Sequence, residues 1–460
     1  MTIEKKSRAF SLFLFLAFAL MEPIPSASWA LSDDSSGTRS QRSTDQQGPG
    51  PWYEGIRAEW GGHFKLRGMA SRPDEASVYG RTGTETFYDG STEARLKSTL
   101  FLGDWGYLET HYEAIISGGD TRSRGRELER IFPQLSRQGV LGGRAPEDDR
   151  RFMDLTKTID EYDDHIIYHR LDRLSLTLLP GWGLVRIGRQ AVTWGNGLLF
   201  NPMDMFNPFS PTDTERDYKT GDDMLVTQFT MFDLGELQLL IVPRREPWSG
   251  SVEEDQSSMA GKLHFARGAS EFDIMAGSHY GDTVVGFGTR GYLKDAAARI
   301  DLLWSRLDGD RGKDSFLSIV ANVDYSWVWW GRNVYGLVEL YYNSLGRDSY
   351  GEAIRDPNIS ERIERGELFI LGRLYLSGHL RVEAHPLFNL YLTVINNVKD
   401  PSGIIQPYAL WDVRDDLQVT VGGTGYYGGT GTEYGGFELD GGGPLLKPSP
   451  SAYVRFTYFF

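Results

Sequence analysis

Between Ser451 and Phe460 every second residue is apolar: Ala452, Val454, Phe456, Tyr458 and Phe460 alternate with positions that include Arg455 and Thr457. A period of two over about ten residues describes a strand with one apolar and one polar face. On a soluble domain such a strand would leave an apolar edge; with its apolar face outward it is the unit of a membrane-spanning barrel. The same alternation predicts strands near 53–69, 92–102, 106–117, 166–179, 183–190, 222–232, 235–244, 257–267, 270–279, 283–292, 296–306, 315–329, 332–345, 366–377, 379–396, 404–413, 416–427 and 450–460. The expected fold is therefore all-β, a transmembrane antiparallel barrel of about eighteen strands over 53–460, with sixteen as the alternative count.

The connections support this. Short turns at 103–106, 180–183, 233–236, 294–296, 330–333, 377–379 and 414–416 alternate with longer loops at 70–91, 118–165, 191–221, 245–256, 307–314, 346–365, 397–403 and 428–449. Short turns on the periplasmic side and long loops outside are the barrel pattern. One connection, near 280–282, is tight where a long loop is expected. In 316–329, Leu317, Ile319, Val323, Tyr325 and Trp327 form the lipid face, and Ser318, Asn322, Asp324 and Ser326 face inward. A barrel of this size is expected to enclose a water-filled lumen. A soluble sandwich or solenoid is the competing fold, and no repeat supports it.

The N-terminal region places the chain in a compartment. Lys5, Lys6 and Arg8 precede an apolar run over 9–21, and Ser28 and Ala30 have the spacing of a small-residue cleavage site. This predicts a signal peptide over 1–30, followed by a polar lead over 31–52 expected to be disordered. A membrane anchor would need a longer apolar run. Cysteine is absent, aromatics reach 13% and glycine numbers 54. The net charge of −15 argues against nucleic acid as a partner. The expected surroundings are outer-membrane lipid, and the expected localisation is the bacterial outer membrane.

One segment is unlike the rest: Val185 to Asp223, "VRIGRQAVTWGNGLLFNPMDMFNPFSPTDTERDYKTGDD". Its Gly188, Arg189, Gln190, then Trp194 and Gly195, then Asn201, Pro202 and Asp204 resemble a GRQ…WG…NPxD pattern of porin-like outer-membrane barrels, the alginate-export type and related families. The resemblance covers about forty residues and implies an outer-membrane channel without naming a solute. The alternation up to Phe460, with Phe456 and Tyr458, likewise resembles the C-terminal signal read by the barrel-assembly machinery.

The residues of the 191–221 loop carry their own argument. Phe200, Met203, Met205, Phe206 and Phe209 are too apolar for a loop in water, and Pro202, Pro208 and Pro211 stiffen it. We expect it to fold inward and narrow the lumen, with Trp194, Asn201, Asp204, Phe206, Asn207 and Phe209 at the constriction. A cap over the mouth, or a partner contact, is the other arrangement. Strict alternation would put Arg189 in lipid, at a cost of roughly 2–4 kcal/mol at mid-bilayer, so a bulge at Gly188 is expected to turn it inward, toward Asp204.

Charges at inward positions form two arcs. Lys65, Arg67, Arg95, Lys97 and Arg455, with Arg186 and Arg189, make the basic side; Glu271, Asp273, Asp301, Asp324 and Glu339 lie roughly opposite. These are expected to line the pore, or to form salt bridges to loops. Asp213, Glu215, Asp217, Asp222 and Asp223 match no calcium loop and read as solvated charge. Residues 118–165 are expected to hold a short helix. No Ser–His or Asp–His grouping emerges, so no catalytic residue, metal or cofactor is expected. The function expected is a channel for a small or oligomeric polar solute; an exopolysaccharide export channel with periplasmic partners is the alternative and a barrel enzyme a minor one. A homo-oligomer is compatible with either.

Overall fold

A computed structural model describes residues 56–131, 146–206, 208–213, 218–231, 235–309, 314–439, 443 and 445–460. The predicted signal peptide over 1–30, the lead over 31–52, and Asn207, Glu215 and Asp217 lie outside the described residues. Eighteen strands form the wall: β1 Ile56–Ser71, β2 Phe87–Leu102, β3 Gly106–Gly119, β4 His165–Leu178, β5 Gly183–Gln190, β6 Asp222–Thr230, β7 Glu236–Val242, β8 Ser258–Arg267, β9 Ser270–His279, β10 Asp282–Leu293, β11 Ala296–Arg306, β12 Ser315–Trp329, β13 Arg332–Asn343, β14 Leu374–His385, β15 Phe388–Asn397, β16 Ser402–Arg414, β17 Leu417–Tyr427 and β18 Ser451–Phe459. Each pairs antiparallel with its sequence neighbours. The sheet closes where β18 joins β1, with His63 opposite Phe459 and Ser71 opposite Ser451.

Closure leaves no wall edge unpaired. Outward positions carry an apolar band that includes Ile187, Leu239, Ile274, Val285, Ile300, Val323, Val338, Leu340, Leu390, Ile405 and Val421, all exposed. Trp60, Trp105, Trp182, Trp329 and Trp330 lie exposed toward the short-turn end, as an interfacial aromatic belt should. The tight connection at 280–281 is a two-residue hairpin with φ of 50° at Tyr280 and 80° at Gly281, the left-handed pair that matches strand twist.

The strand assignment near 366–396 needs correction. Ser377–His379 is not a turn: Gly378 sits inside β14, opposite Val338 and Val394. The turn falls at 386–387, where Pro386 has no N–H for the ladder. Residues 366–372 do not join the wall. Leu368, Ile370 and Leu371 are instead buried against the barrel interior and the helices α2 Tyr350–Arg355 and α3 Pro357–Glu364. Their apolar alternation reports loop packing, not lipid. The 120–164 loop does hold a helix, α1 Asp120–Ile131, and adds a short strand, Thr156–Glu161, beside β4.

The interior is not an empty tube. The described residues of loops 191–221, 344–373 and 428–450 fold inward and form two apolar clusters with inward-facing wall residues. One joins Trp194, Met203, Met205 and Phe206 to Met224, Leu240, Met275, Val284 and Leu303; the other joins Phe200 to Val320, Tyr341, Tyr375, Ile395 and Ile404.

Candidate functional site

The 191–221 loop leaves β5 and runs across the barrel. Trp194, 1% exposed, donates from Nε1 to Gln238 Oε1 on β7 at 2.8 Å and meets Phe206 edge-on, with centroids 5.2 Å apart. Gly195 then turns with φ of 86°. A Cβ there would lie 2.2 Å from Asn201 Oδ1, so only glycine fits. Asn196 reaches β11: its backbone N–H donates to Asp301 Oδ2 at 2.5 Å and its Nδ2 to Asp301 Oδ1 at 2.8 Å. On β13, Glu339 accepts from the N–H groups of Leu198 at 2.9 Å, Leu199 at 3.2 Å and Phe200 at 2.7 Å. Phe200 stacks on Tyr341, centroids 4.7 Å apart.

The chain then turns back. Asp204 N–H donates to Asn201 O at 3.1 Å, Met203 and Phe206 enter the first apolar cluster, and Phe209 is half-buried. The carbonyl of Thr212 accepts from Gln406 Nε2 on β16 at 3.1 Å. On β2, Tyr218 donates its hydroxyl to Glu93 at 2.8 Å, with the Arg95 guanidinium 3.5 Å from its ring centre. Burial and the neighbouring Glu113 and Glu93 carboxylates push the Tyr218 phenol up, so it stays a donor. Gly221 closes the loop by donating to Asp172 on β4 at 3.1 Å. β2 and β11 are nine strand-to-strand steps apart in a wall of eighteen, so the loop is anchored on opposite sides of the barrel.

Asp204 meets Lys219 rather than Arg189. Lys219 Nζ donates to both Asp204 oxygens at 2.6 Å and to Val192 O at 2.6 Å, tying the two arms of the loop together. Burial pushes the Asp204 carboxyl up to about 6, although Lys219 opposes the shift.

Arg189 also differs from expectation. Pairing runs without a register shift through Gly188, so there is no bulge; Arg189 faces Leu174 and Asp223. Its charge is handled by neighbours at the extracellular rim: Asp223 at 2.8 Å, Asp148 at 2.8 Å and Met153 O at 2.5 Å. It thereby anchors the 146–155 segment rather than the 191–221 loop. Burial works against charge on Asp148, but Arg151 and Arg189 outweigh it and hold that carboxyl at about 2. Asp222 and Asp223 are buried in arginine pairs, with Arg244 and Arg189, not solvated.

The remaining charges divide by environment. Asp301 and Glu339 are 0% exposed beneath the loop, so they hold its backbone and do not line water. Asp324 pairs with Arg299. Arg95 is buried between Glu113 and Asp172, at 2.8 Å from the latter. Arg186 donates to Thr177 and Tyr107, both at 2.9 Å. Lys97 is exposed, and Arg455 is buried opposite Arg67. On the basic side a cavity of about 470 Å³ opens, lined by Lys65, Arg67, Glu93, Arg170 and Tyr218 among others. Among the described residues, no group of His, Cys, Asp and Glu is placed to hold a metal. Sequence reasoning missed the roles of Tyr218, Lys219 and Gln238, because partners so distant along the chain leave no local signal.

No protein-family model and no curated protein matches the chain. Among solved structures, Acinetobacter baumannii OccAB2 is similar over 87% of this chain and 98% of its own, at 10% identity and a TM-score of 0.48. Pseudomonas putida OprB, in a low-pH structure, matches over 88% and 92%, at 8% identity and 0.40. Escherichia coli Wzi, an outer-membrane protein described as a carbohydrate-binding β-barrel involved in group 1 capsule assembly, matches over 86% and 83%, at 10% identity and 0.46. The assignment of the fold rests on the closed register and apolar outer band of the chain itself. It is a membrane-spanning β-barrel.

Proposed function

We propose that the chain is a channel for polar solutes whose passage is narrowed by the 191–221 loop. The observation that carries this reading is the anchoring of that loop on opposite walls, at Asp301 and Glu339 on one side and at Glu93 and Arg95 on the other. The loop's return arm borders a cavity of about 470 Å³ lined with Lys65, Arg67, Glu93 and Arg170. Polar walls next to an ordered constriction suit selective diffusion. The resemblance of the Gly188–Asp204 pattern to porin-like barrels accords with it.

Planar-bilayer recording tests the reading. The intact barrel should give discrete conductance steps in potassium chloride, and removal of 198–211 should raise the step size several-fold with the barrel still assembled. Absence of any step from folded protein would overturn the channel reading; unchanged steps after the deletion would show that the loop is not the constriction.

A further inference from the structure

A line of inward side chains crosses β13 to β1 and climbs the barrel. Tyr335 is opposite Arg381, Arg381 opposite Tyr391, Tyr391 opposite Tyr408, Tyr408 opposite Gly422, and Gly422 opposite Tyr453. The contacts along it are direct. The Arg381 guanidinium lies 6.0 Å from the Tyr335 ring centre, and the rings of Tyr391 and Tyr408 are parallel with centroids 4.3 Å apart. Gly422 leaves room for the next step: a Cβ there would lie 2.7 Å from both Tyr408 Cβ and Tyr453 Oη. Beyond it, the Arg67 guanidinium sits 5.2 Å from the Tyr453 ring centre and borders the 470 Å³ cavity.

Because in-register neighbours lie perpendicular to tilted strands, the line rises as it goes round. Tyr335 and Tyr391 are near the periplasmic ends of β13 and β15, Tyr408 is mid-strand on β16, and Tyr453 and Arg67 are near the extracellular ends of β18 and β1. At β16 it passes two residues to the periplasmic side of Gln406, where the loop is anchored through Thr212. Six strand-to-strand steps of roughly 4.8 Å make it about 29 Å long. That is far longer than one small solute.

We infer that this line is a binding track for a linear oligosaccharide passing the constriction. Tyrosine offers an apolar ring with a hydroxyl at its tip, which suits a chain of rings that carry both C–H faces and hydroxyls. Beside the track Ser377, Thr393, Gln406 and Thr420 face inward and are buried, while Asp324, paired with Arg299, lies against Tyr335, and Arg455 faces inward two residues from Tyr453. Along the track itself Arg381 is exposed and Tyr391 and Tyr408 are half-buried. The arginines at the two ends would also pair with acidic sugars.

The inference rests on the channel reading, and the test separates the two. Single-channel current is recorded with maltohexaose, hexagalacturonate or a glycine hexapeptide added. Concentration-dependent block by at least one of the sugars is expected. In Tyr391→Ser/Tyr408→Ser the half-blocking concentration should rise about tenfold, equal to about 1.4 kcal/mol. Tyr391→Phe/Tyr408→Phe, which keeps both rings, should lose less, and heat-modifiable mobility reports folding of each variant. Normal salt conductance with no sugar block, block only by the peptide, or a Ser double variant blocked like the parent would each overturn the track. If no channel conducts, calorimetric titration of either sugar into the detergent-solubilised barrel decides the track separately.

Discussion

The Arg95 guanidinium lies 3.5 Å from the centre of the Tyr218 ring, and the Tyr218 hydroxyl donates to Glu93 at 2.8 Å. Arg95 is itself buried between Glu113 and Asp172, so the ring meets a cation that cannot swing away. A desolvated cation–π contact is worth about 2 kcal/mol, and the charge-assisted hydrogen bond adds roughly 1.5–3. Tyr218→Ala should therefore free the return arm of the loop from β2. The expected outcome is a noisier open channel with frequent excursions to larger conductance, while Tyr218→Phe keeps the stacking and shows a weaker effect. Quiet, parent-like traces from Tyr218→Ala would show that the arm is held elsewhere.

The opposite anchor makes a different prediction. Glu339 accepts three loop N–H groups, and each donor left unsatisfied in a buried site costs about 1–3 kcal/mol. Glu339→Ala should lower the barrel's thermal stability and raise conductance together. Glu339→Gln retains one acceptor oxygen and should fall between parent and Ala. A Glu339→Ala barrel with unchanged melting and conductance would remove this carboxylate from the anchoring role.

The Asp204–Lys219 clasp sets a pH response. Asp204 titrates at about 6 in the folded barrel, above the ordinary carboxylate range, because burial disfavours its charge. The folded state thus binds this proton more tightly than the unfolded chain does. The stability contributed by the group is full below about pH 4 and is lost as pH rises through 6, on the order of 3 kcal/mol in all. Acidification from pH 7.5 to 5 should lengthen the loop's closed dwell times. Asp204→Asn should be flat across that window, and the two records compared at each pH check it.

Charge selectivity should sort by position relative to the cavity, since Lys65 at 4% exposure is buried about as deeply as Arg95 at 2%. Lys65 and Arg67 border the cavity, whereas Arg95 is held in a buried ion-pair network. Replacing Lys65 and Arg67 with glutamine should move the reversal potential under a salt gradient toward cation preference with the barrel intact. Arg95→Gln should instead reduce folded yield, since removing one partner strands buried carboxylates at a cost of about 3–5 kcal/mol. An unmoved reversal potential in the Lys65/Arg67 variant would place the ion path away from these side chains.

The seam between β18 and β1 gives a test of assembly. Gly62 N–H donates to Phe460 O at 2.9 Å, and Phe460 N–H donates to Gly62 O at 3.2 Å. A Cβ on Gly62 would lie 2.1 Å from Arg95 O and 2.7 Å from Phe460 Cζ. Gly62→Ala, and a charged residue at Phe460, should each reduce the heat-modifiable, folded fraction in the outer membrane. Normal folded levels in both would mean that the seam tolerates side chains there.

The wall was legible in the chain because its rule is local. Lipid on one side and the interior on the other impose a period of two, so Val323 and Tyr325 announce their face without reference to any distant residue. The count of eighteen strands followed, and so did the tight hairpin at 280–281. The same rule misled at Leu368, Ile370 and Leu371, where an apolar alternation packs against interior helices, and Gly378 resembled a turn though it lies inside β14. Apolar residues such as Phe200 and Phe206 signalled only that their loop needed something to pack against. That Asp301 and Glu339 hold its backbone, that Lys219 rather than Arg189 meets Asp204, and that Arg189 pairs with Asp148 and Asp223 were decided by closure of the barrel. Closure brings together groups far apart in sequence: Leu198 and Glu339 are 141 positions apart, and Thr212 and Gln406 are 194. Such pairings depend on register and shear summed around the whole wall, which no local pattern records.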